Sequence, residues 1–96
     1  MHFIWDENKN ALNRKNHGID FETAQLVFLD SLALSRPDHY PYEERWQTVG
    51  LIGNVAILVI HTIIEKDSHT HEEVIRIISA RKATKQERKA YEEGKF

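Results

Sequence analysis

The chain has no cysteine, which excludes disulfides and thiolate chemistry and makes a reducing, cytoplasmic setting the expected one. No apolar run approaches the ~18 residues of a membrane span, so no membrane role is expected. The opening Met1-His-Phe-Ile-Trp-Asp6 lacks the basic region, apolar stretch and cleavage site of a secretory signal. Also missing are a glycine-rich phosphate loop, a dinucleotide fingerprint, a hydrolase elbow, a structural-zinc spacing and a His-Glu-x-x-His motif. An ATP-dependent or serine-nucleophile enzyme is therefore not expected, and no cofactor or metal is assigned. Nor is there a large charge of one sign. With 96 residues and net charge -2, the chain reads as a single domain, residues 1–96, and not as a bulk cationic nucleic-acid binder.

The charge that is present is unevenly placed. Residues 19–73 hold ten acidic residues against three Lys/Arg, whereas residues 76–96 hold seven Lys/Arg against three acidic residues. Residues 1–18 are net +1. If the two basic ends meet in the fold, they focus an anion-attracting field despite the overall sign. A basic partner could equally use the acidic middle.

The stretch Val74-Ile-Arg-Ile-Ile-Ser-Ala-Arg81 stands out as an apolar strand that carries Arg76 inside it and Arg81 at its exit. Salt bridges to sheet neighbours would account for these arginines as well as an anion-receiving surface would. Their spacing of five sends them to opposite faces of an ideal strand. One site can use both if the strand bends or ends near Ser79-Ala80.

Around it, His2–Trp5 reads as a strand, and Asp6 caps a helix over Glu7–Asn16 that stops at Gly18. Asp20 caps a second short helix, and Leu32–Ser35 reads as the next strand. Pro37–Tyr42, with prolines at 37 and 41, reads as loop. Arg45–Ile52 and Val55–Ile64 form a hairpin at Gly53-Asn54, and Val55–Ile60 is the best candidate for the core strand. A polar link, Glu65–Glu73, leads to the Val74 strand. Thr84-Lys-Gln-Glu87 matches a capping box for a last helix ending near Gly94. The order β-α-α-β-β-β-β-α predicts an α+β fold, mainly antiparallel, with two N-terminal helices and one C-terminal helix against one face.

His69 and His71, with His61 upstream and Glu65, Asp67, Glu72 and Glu73 nearby, invite a metal reading, but their spacing matches no zinc motif. What remains is a set of His, Lys and Arg groups without a cofactor. That set suits metal-free cleavage of an RNA phosphodiester: one group takes the 2′-hydroxyl proton, another protonates the leaving oxygen, and cations hold the charge growing on phosphate. His17 can move a proton near neutral pH. Arg14, Lys15, Arg45, Arg76 and Arg81 can supply fixed charge. Tyr40, Tyr42, Trp46 and Tyr91 could stack a base. A histidine at a helix end can also be no more than a cap or core contact.

Taken together, Phe3-Ile-Trp-Asp6, Lys9, Asn13 with His17-Gly18, Phe21 with Ala24 and Phe28, Glu44-Arg45, Gly50, Arg76-Ile-Ile-Ser-Ala-Arg81 and Glu87-Arg88 with Tyr91 form a recognisable pattern. The chain resembles the BrnT family of type II toxins over nearly its whole length. That resemblance implies a RelE-like ribonuclease fold that cleaves RNA, inhibits translation and is neutralised by a cognate BrnA-like antitoxin. It further implies that operator DNA is bound mainly through the antitoxin, in a higher-order toxin–antitoxin oligomer.

On this reading His17 transfers a proton, Arg45, Arg76 and Arg81 bind and stabilise phosphate, and Lys15, Arg88 and Tyr91 give supporting contacts. Family members carry Lys just before His-Gly; here Asn16 stands there and Lys15 lies one residue earlier, about 100° round the helix. Glu87 and Arg88 have a structural alternative, pairing with the sheet or the antitoxin. Trp5 and Asp6 read as packing and helix cap. The competing class is a non-catalytic toxin homologue that binds its antitoxin and regulates the operon, and a metal-binding regulator using His61, His69 and His71 ranks last.

Overall fold

The computed structural model describes residues 1–65, 69 and 71–96. Lys66, Asp67, Ser68 and Thr70 of the expected polar link lie outside the described residues. The strands are β1 (His2–Trp5), β2 (Leu34–Pro37), β3 (Trp46–Ile52), β4 (Val55–Glu65) and β5 (Glu73–Lys82). The helices are α1 (Glu7–His17), α2 (Phe21–Ala24) and α3 (Lys85–Glu92), and a 3-10 turn over Gln25–Leu29 extends α2. No helix among the described residues is long and apolar enough to cross a membrane.

Local chemistry sets the helix ends. The Asp6 carboxylate accepts the Asn8 and Lys9 N–H groups, and Gly18 closes α1 in the left-handed region at φ 71°. Asp20 caps α2 through the Thr23 N–H, which holds its carboxyl below the ordinary range. Thr84 and Glu87 form the capping box of α3.

The sheet order is β1-β5-β4-β3-β2, with β1 parallel to β5 and the other pairs antiparallel. The expected α+β, RelE-like architecture is met. Central β4 explains why Val55–Ile60 is so apolar: it has a strand on each side and core on both faces. The parallel β1–β5 pair also brings the two basic blocks together.

Alternation and register divide the sheet into two faces. On one, Ile57, Val59, Ile75, Ile77 and Ala80 pack under Ile19, Phe21, Ala24 and Val27. Phe21 and Val27 are fully buried, each side chain stabilising the fold by about 1.5–3 kcal/mol. Gly50 belongs here because a Cβ would stand 3.0 Å from the Val27 side chain and 3.1 Å from its carbonyl oxygen. On the other face, Val49 and Ala56 pack with Tyr91, Leu34, Leu51 and Phe96. Placing all helices against one face is therefore wrong: α2 and the 3-10 turn cover one face, α1 is bonded to β5 through Asn13, and α3, through Tyr91, serves the other face.

Two further expectations shift. The strand expected at Leu32–Ser35 starts at Leu34, because Asp30 holds a turn through the Leu32 and Ala33 N–H groups. Pro37, expected in a loop, ends this strand opposite Trp46; β2 is an edge, so its missing N–H interrupts no ladder.

The consequential irregularity is in β5. Ile60 pairs with Ser79 but His61 pairs with Ile77, so Ile78 is an extra residue and the strand bulges. Side-chain parity reverses there. Ile75 and Ile77 share one core with Ala80, and Arg76 and Arg81 consequently share the opposite face.

Candidate functional site

Arg76 projects from β5 opposite Thr62, and Arg81 opposite Leu58. These positions are four residues apart on β4, about 13 Å of strand. The Thr62 hydroxyl is buried with no hydrogen-bond partner among the described residues.

Arg45 reaches the first position from the loop before β3. Glu43 Oε1 accepts from Arg45 Nε at 2.8 Å and from Arg76 Nη2 at 2.7 Å, while Glu43 Oε2 accepts from Arg76 Nη2 at 2.9 Å. Hydrogen bonds from Arg45, and then Arg76, hold the Glu43 carboxyl below its ordinary range. The Arg45 guanidinium lies 3.6 Å from the Tyr40 ring centroid, and Tyr40 meets Tyr42 edge-on at 5.5 Å. Tyr42 is 84% exposed. The loop is closed by the Asp38 N–H donating to the Arg45 carbonyl at 2.8 Å. Arg45 and Arg76 thus share one carboxylate, and each keeps N–H groups with no partner among the described residues.

Arg81 is held more completely. It donates to both oxygens of Glu87, at 2.7 and 3.0 Å, and Arg36 stands 3.8 Å from the same carboxylate. The Arg81 bonds drop Glu87 to about 2 and raise Arg81 itself. Arg36 also donates to Gln47 and covers the Phe96 ring at 4.0 Å. The sheet-pairing alternative for Glu87 is what the structure displays. Arg88 donates to the Asn54 carbonyl at 2.9 Å and pairs with Glu92 at 3.4 Å.

Tyr91 is 8% exposed, and its hydroxyl donates to Asp30, which pushes it up to about 12. Its expected contact with RNA is thereby corrected: the ring fills the second core and presents no stacking face. Asp30, bonded also to the Leu51 N–H, falls below the ordinary carboxylate range.

His17 and Lys15 are exposed at the end of α1, the helix that Asn13 bonds to β5. Neither has a hydrogen bond or ion pair among the described residues, and none of the arginines contacts them. Asn13 fixes their helix. Its amide donates to the Ile19 carbonyl at 2.9 Å and the Ala80 carbonyl at 2.8 Å, and it accepts the Ala80 N–H at 3.1 Å. Since β1 stops opposite Ile77, α1 takes its place along the edge of β5 beyond the bulge. His17 therefore approaches from an edge and Arg45, Arg76 and Arg81 from a face.

His61 is 1% exposed, donor or acceptor to the Thr48 hydroxyl at 2.6 Å, and edge-on to Phe28; burial depresses its pKa. It is a core histidine. Among the described residues, no three His, Cys, Asp or Glu side chains form a metal-holding group.

Glu43, Arg36 and Lys9 were absent from the expected site. Glu43 is 33 residues from Arg76, so no local spacing could reveal it. Lys9 lines a cavity of about 310 Å³ with Ile4, Trp5, Asp6, Arg76, Ile77 and Ile78. Trp5 donates its indole N–H to Glu7 and meets Phe21 edge-on, so packing and capping describe Trp5 and Asp6 well.

Residues 5–87 match the family model described as the ribonuclease toxin BrnT of type II toxin–antitoxin systems. That span contains His17, Arg45, Arg76, Arg81 and Glu87, and Arg88 and Tyr91 follow it. No curated protein matches the chain.

Proposed function

The chain belongs to the BrnT family of type II toxin–antitoxin ribonuclease toxins, and from that premise we propose that it is a metal-independent endoribonuclease acting on single-stranded RNA. The observation that carries the reading is the cationic face made by the bulge, where Arg76 and Arg81 point the same way and Arg45 joins Arg76 through Glu43. A guanidinium with N–H groups still open is a fitting partner for a phosphate, since it binds bidentately and its charge does not titrate away. Arg45 and Arg76 take the substrate phosphate, and Arg81 stabilises the charge that develops on it as the 2′-oxygen attacks and the 5′-oxygen departs. His17 is the proton-transfer group, reaching the RNA from the edge of β5, with Lys15 as a nearby cation.

The cognate antitoxin silences the enzyme by covering this face, its acidic or close-fitting segment replacing RNA at the arginines. The same arginines would serve a non-catalytic, operon-regulating homologue, so the decisive experiment is chemical. Purified, antitoxin-free protein is incubated with RNA with and without EDTA, beside Arg76→Ala and Arg81→Ala proteins of normal fold. Cleavage that survives EDTA and is lost in both variants is expected. Cleavage unchanged by Arg81→Ala removes Arg81 from the site, and growth inhibition without cleavage of free or ribosome-bound RNA refutes the enzymatic reading.

A further inference from the structure

β1 ends at Trp5, opposite Ile77, while β5 continues through the bulged Ile78 beside the start of α1. The result is the notch of about 310 Å³ whose walls differ in character: Ile4, Trp5, Ile77 and Ile78 are apolar, and Lys9 and Arg76 are cationic. Its acids are committed elsewhere. Asp6 caps α1 and Glu43 holds Arg76 from outside the notch. The Lys9 backbone N–H is used in the Asp6 cap, but its side-chain ammonium has no hydrogen bond or ion pair among the described residues.

We propose that this notch is a subsite for one nucleotide of the RNA, with its base against Ile4 and Trp5 and its phosphate at Lys9 and Arg76. The inference rests on the ribonuclease reading and extends it by naming where the strand leaves the arginine face. The volume lies at the low end for small-ligand pockets, enough for a single unstacked nucleotide. A duplex, whose bases stay paired, has nothing to insert. A single strand can splay a base onto an apolar and aromatic wall. Arg76 belongs to both the arginine face and the notch, so the two subsites are continuous. Lys9 becomes a substrate-binding residue.

Trp5 supplies its own reporter. In a Trp46→Phe protein, a dye-labelled 2′-O-methyl hexaribonucleotide, which cannot be cleaved through the 2′ position, is followed both by anisotropy and by Trp5 fluorescence. Saturable quenching of Trp5 along the anisotropy isotherm is expected. Lys9→Ala should weaken binding roughly tenfold at low salt. It should also lower the slope of log affinity against log salt by about 0.7, the loss of one single-strand phosphate contact, which a merely structural role would not do. Lys9→Arg should restore both. RNA that binds with Trp5 unquenched and the Lys9→Ala slope unchanged overturns the notch and leaves the ribonuclease reading standing. Failure of the protein to bind RNA at all overturns both. Quenching by an oligoglutamate peptide but not by RNA reassigns the notch to an acidic protein segment and overturns the proposal.

Discussion

Asn13→Asp is the substitution that most sharply tests how α1 is held to the sheet. The two side chains are nearly identical in shape, so packing is preserved while two donated hydrogen bonds, to Ile19 and Ala80, are replaced by an oxygen facing two carbonyl oxygens. Each lost bond costs about 1 kcal/mol, and the orphaned buried groups and confined carboxylate add to it, giving a total of about 3–5 kcal/mol. A domain of this size is stable by about 5–15 kcal/mol, so much of its margin goes. Urea unfolding followed by tryptophan fluorescence should show the midpoint falling by about 2–3 M for an m-value of about 1.5 kcal/mol/M. The sign of the pH dependence supplies an internal control. The new carboxyl has a folded pKa raised above its unfolded value, so its penalty appears as pH rises through the folded pKa and fades below it. The gap from wild type should therefore narrow on going from pH 7 towards pH 5. A deficit under about 1 kcal/mol at pH 7, or one indifferent to pH, refutes the account.

Gly50→Ala should destabilise by about 1–3 kcal/mol because its methyl meets the Val27 carbonyl, a backbone atom that cannot swing away; a melting temperature at or above wild type would contradict this. His61 has a folded pKa depressed by burial, so the stability tied to its neutral form is present above the ordinary 6.5 and lost as pH falls below it. His61→Leu should flatten the stability–pH curve in that window, and an unchanged slope would point to another group. Glu87, at about 2 against an ordinary 4.5, contributes stability that is full above pH 4.5 and lost between there and pH 2. Allowing for solvent screening this amounts to about 1–2 kcal/mol, and Glu87→Gln should lose that much at pH 7 and only a small fraction of it at pH 2, as read by denaturant titration at both values.

The caps at Asp6, Asp20 and Thr84 were legible because each donor and acceptor lies within three residues of the other. The Gly53-Asn54 hairpin and the apolar run of β4 were legible for the same reason. What local pattern does not carry is sequence-distant geometry. Asn13 finds Ala80 across 67 residues and Glu43 finds Arg76 across 33. The bulge at Ile78 leaves no glycine or proline behind; its one trace was the odd Arg76–Arg81 spacing, which an even strand could not reconcile with a shared face. The face taken by α3 was misplaced because its apolar residues are few, Tyr91 and the trailing Phe96, and nothing in them says which side of the sheet they seek. Tyr91 likewise reads in the sequence as available for stacking, whereas in the fold its ring is buried and its hydroxyl donates to Asp30.

The arginines are not equivalent, and the difference follows from what each carboxylate does besides binding them. Glu43 lies in the loop before β3 and among the described residues serves only Arg45 and Arg76, so an incoming phosphate can displace it at the cost of a solvated ion pair. Glu87 Oε1 accepts both the Arg81 guanidinium and the Thr84 N–H, so the contact that holds Arg81 also starts α3. Moving Arg81 fully onto a phosphate would not itself break that cap, but pulling Glu87 away would. Arg81 is therefore suited to receive charge as it develops while keeping one hand on Glu87, whereas Arg45 and Arg76 are suited to first capture of the strand. Arg76 is tied to the notch as well as to Arg45, so on the proposed reading capture would extend from the arginine face into the notch. The bulge at Ile78 thus sets which face the cations occupy, and a straight β5 would put Arg76 and Arg81 on opposite faces and separate the groups that the proposed chemistry uses together.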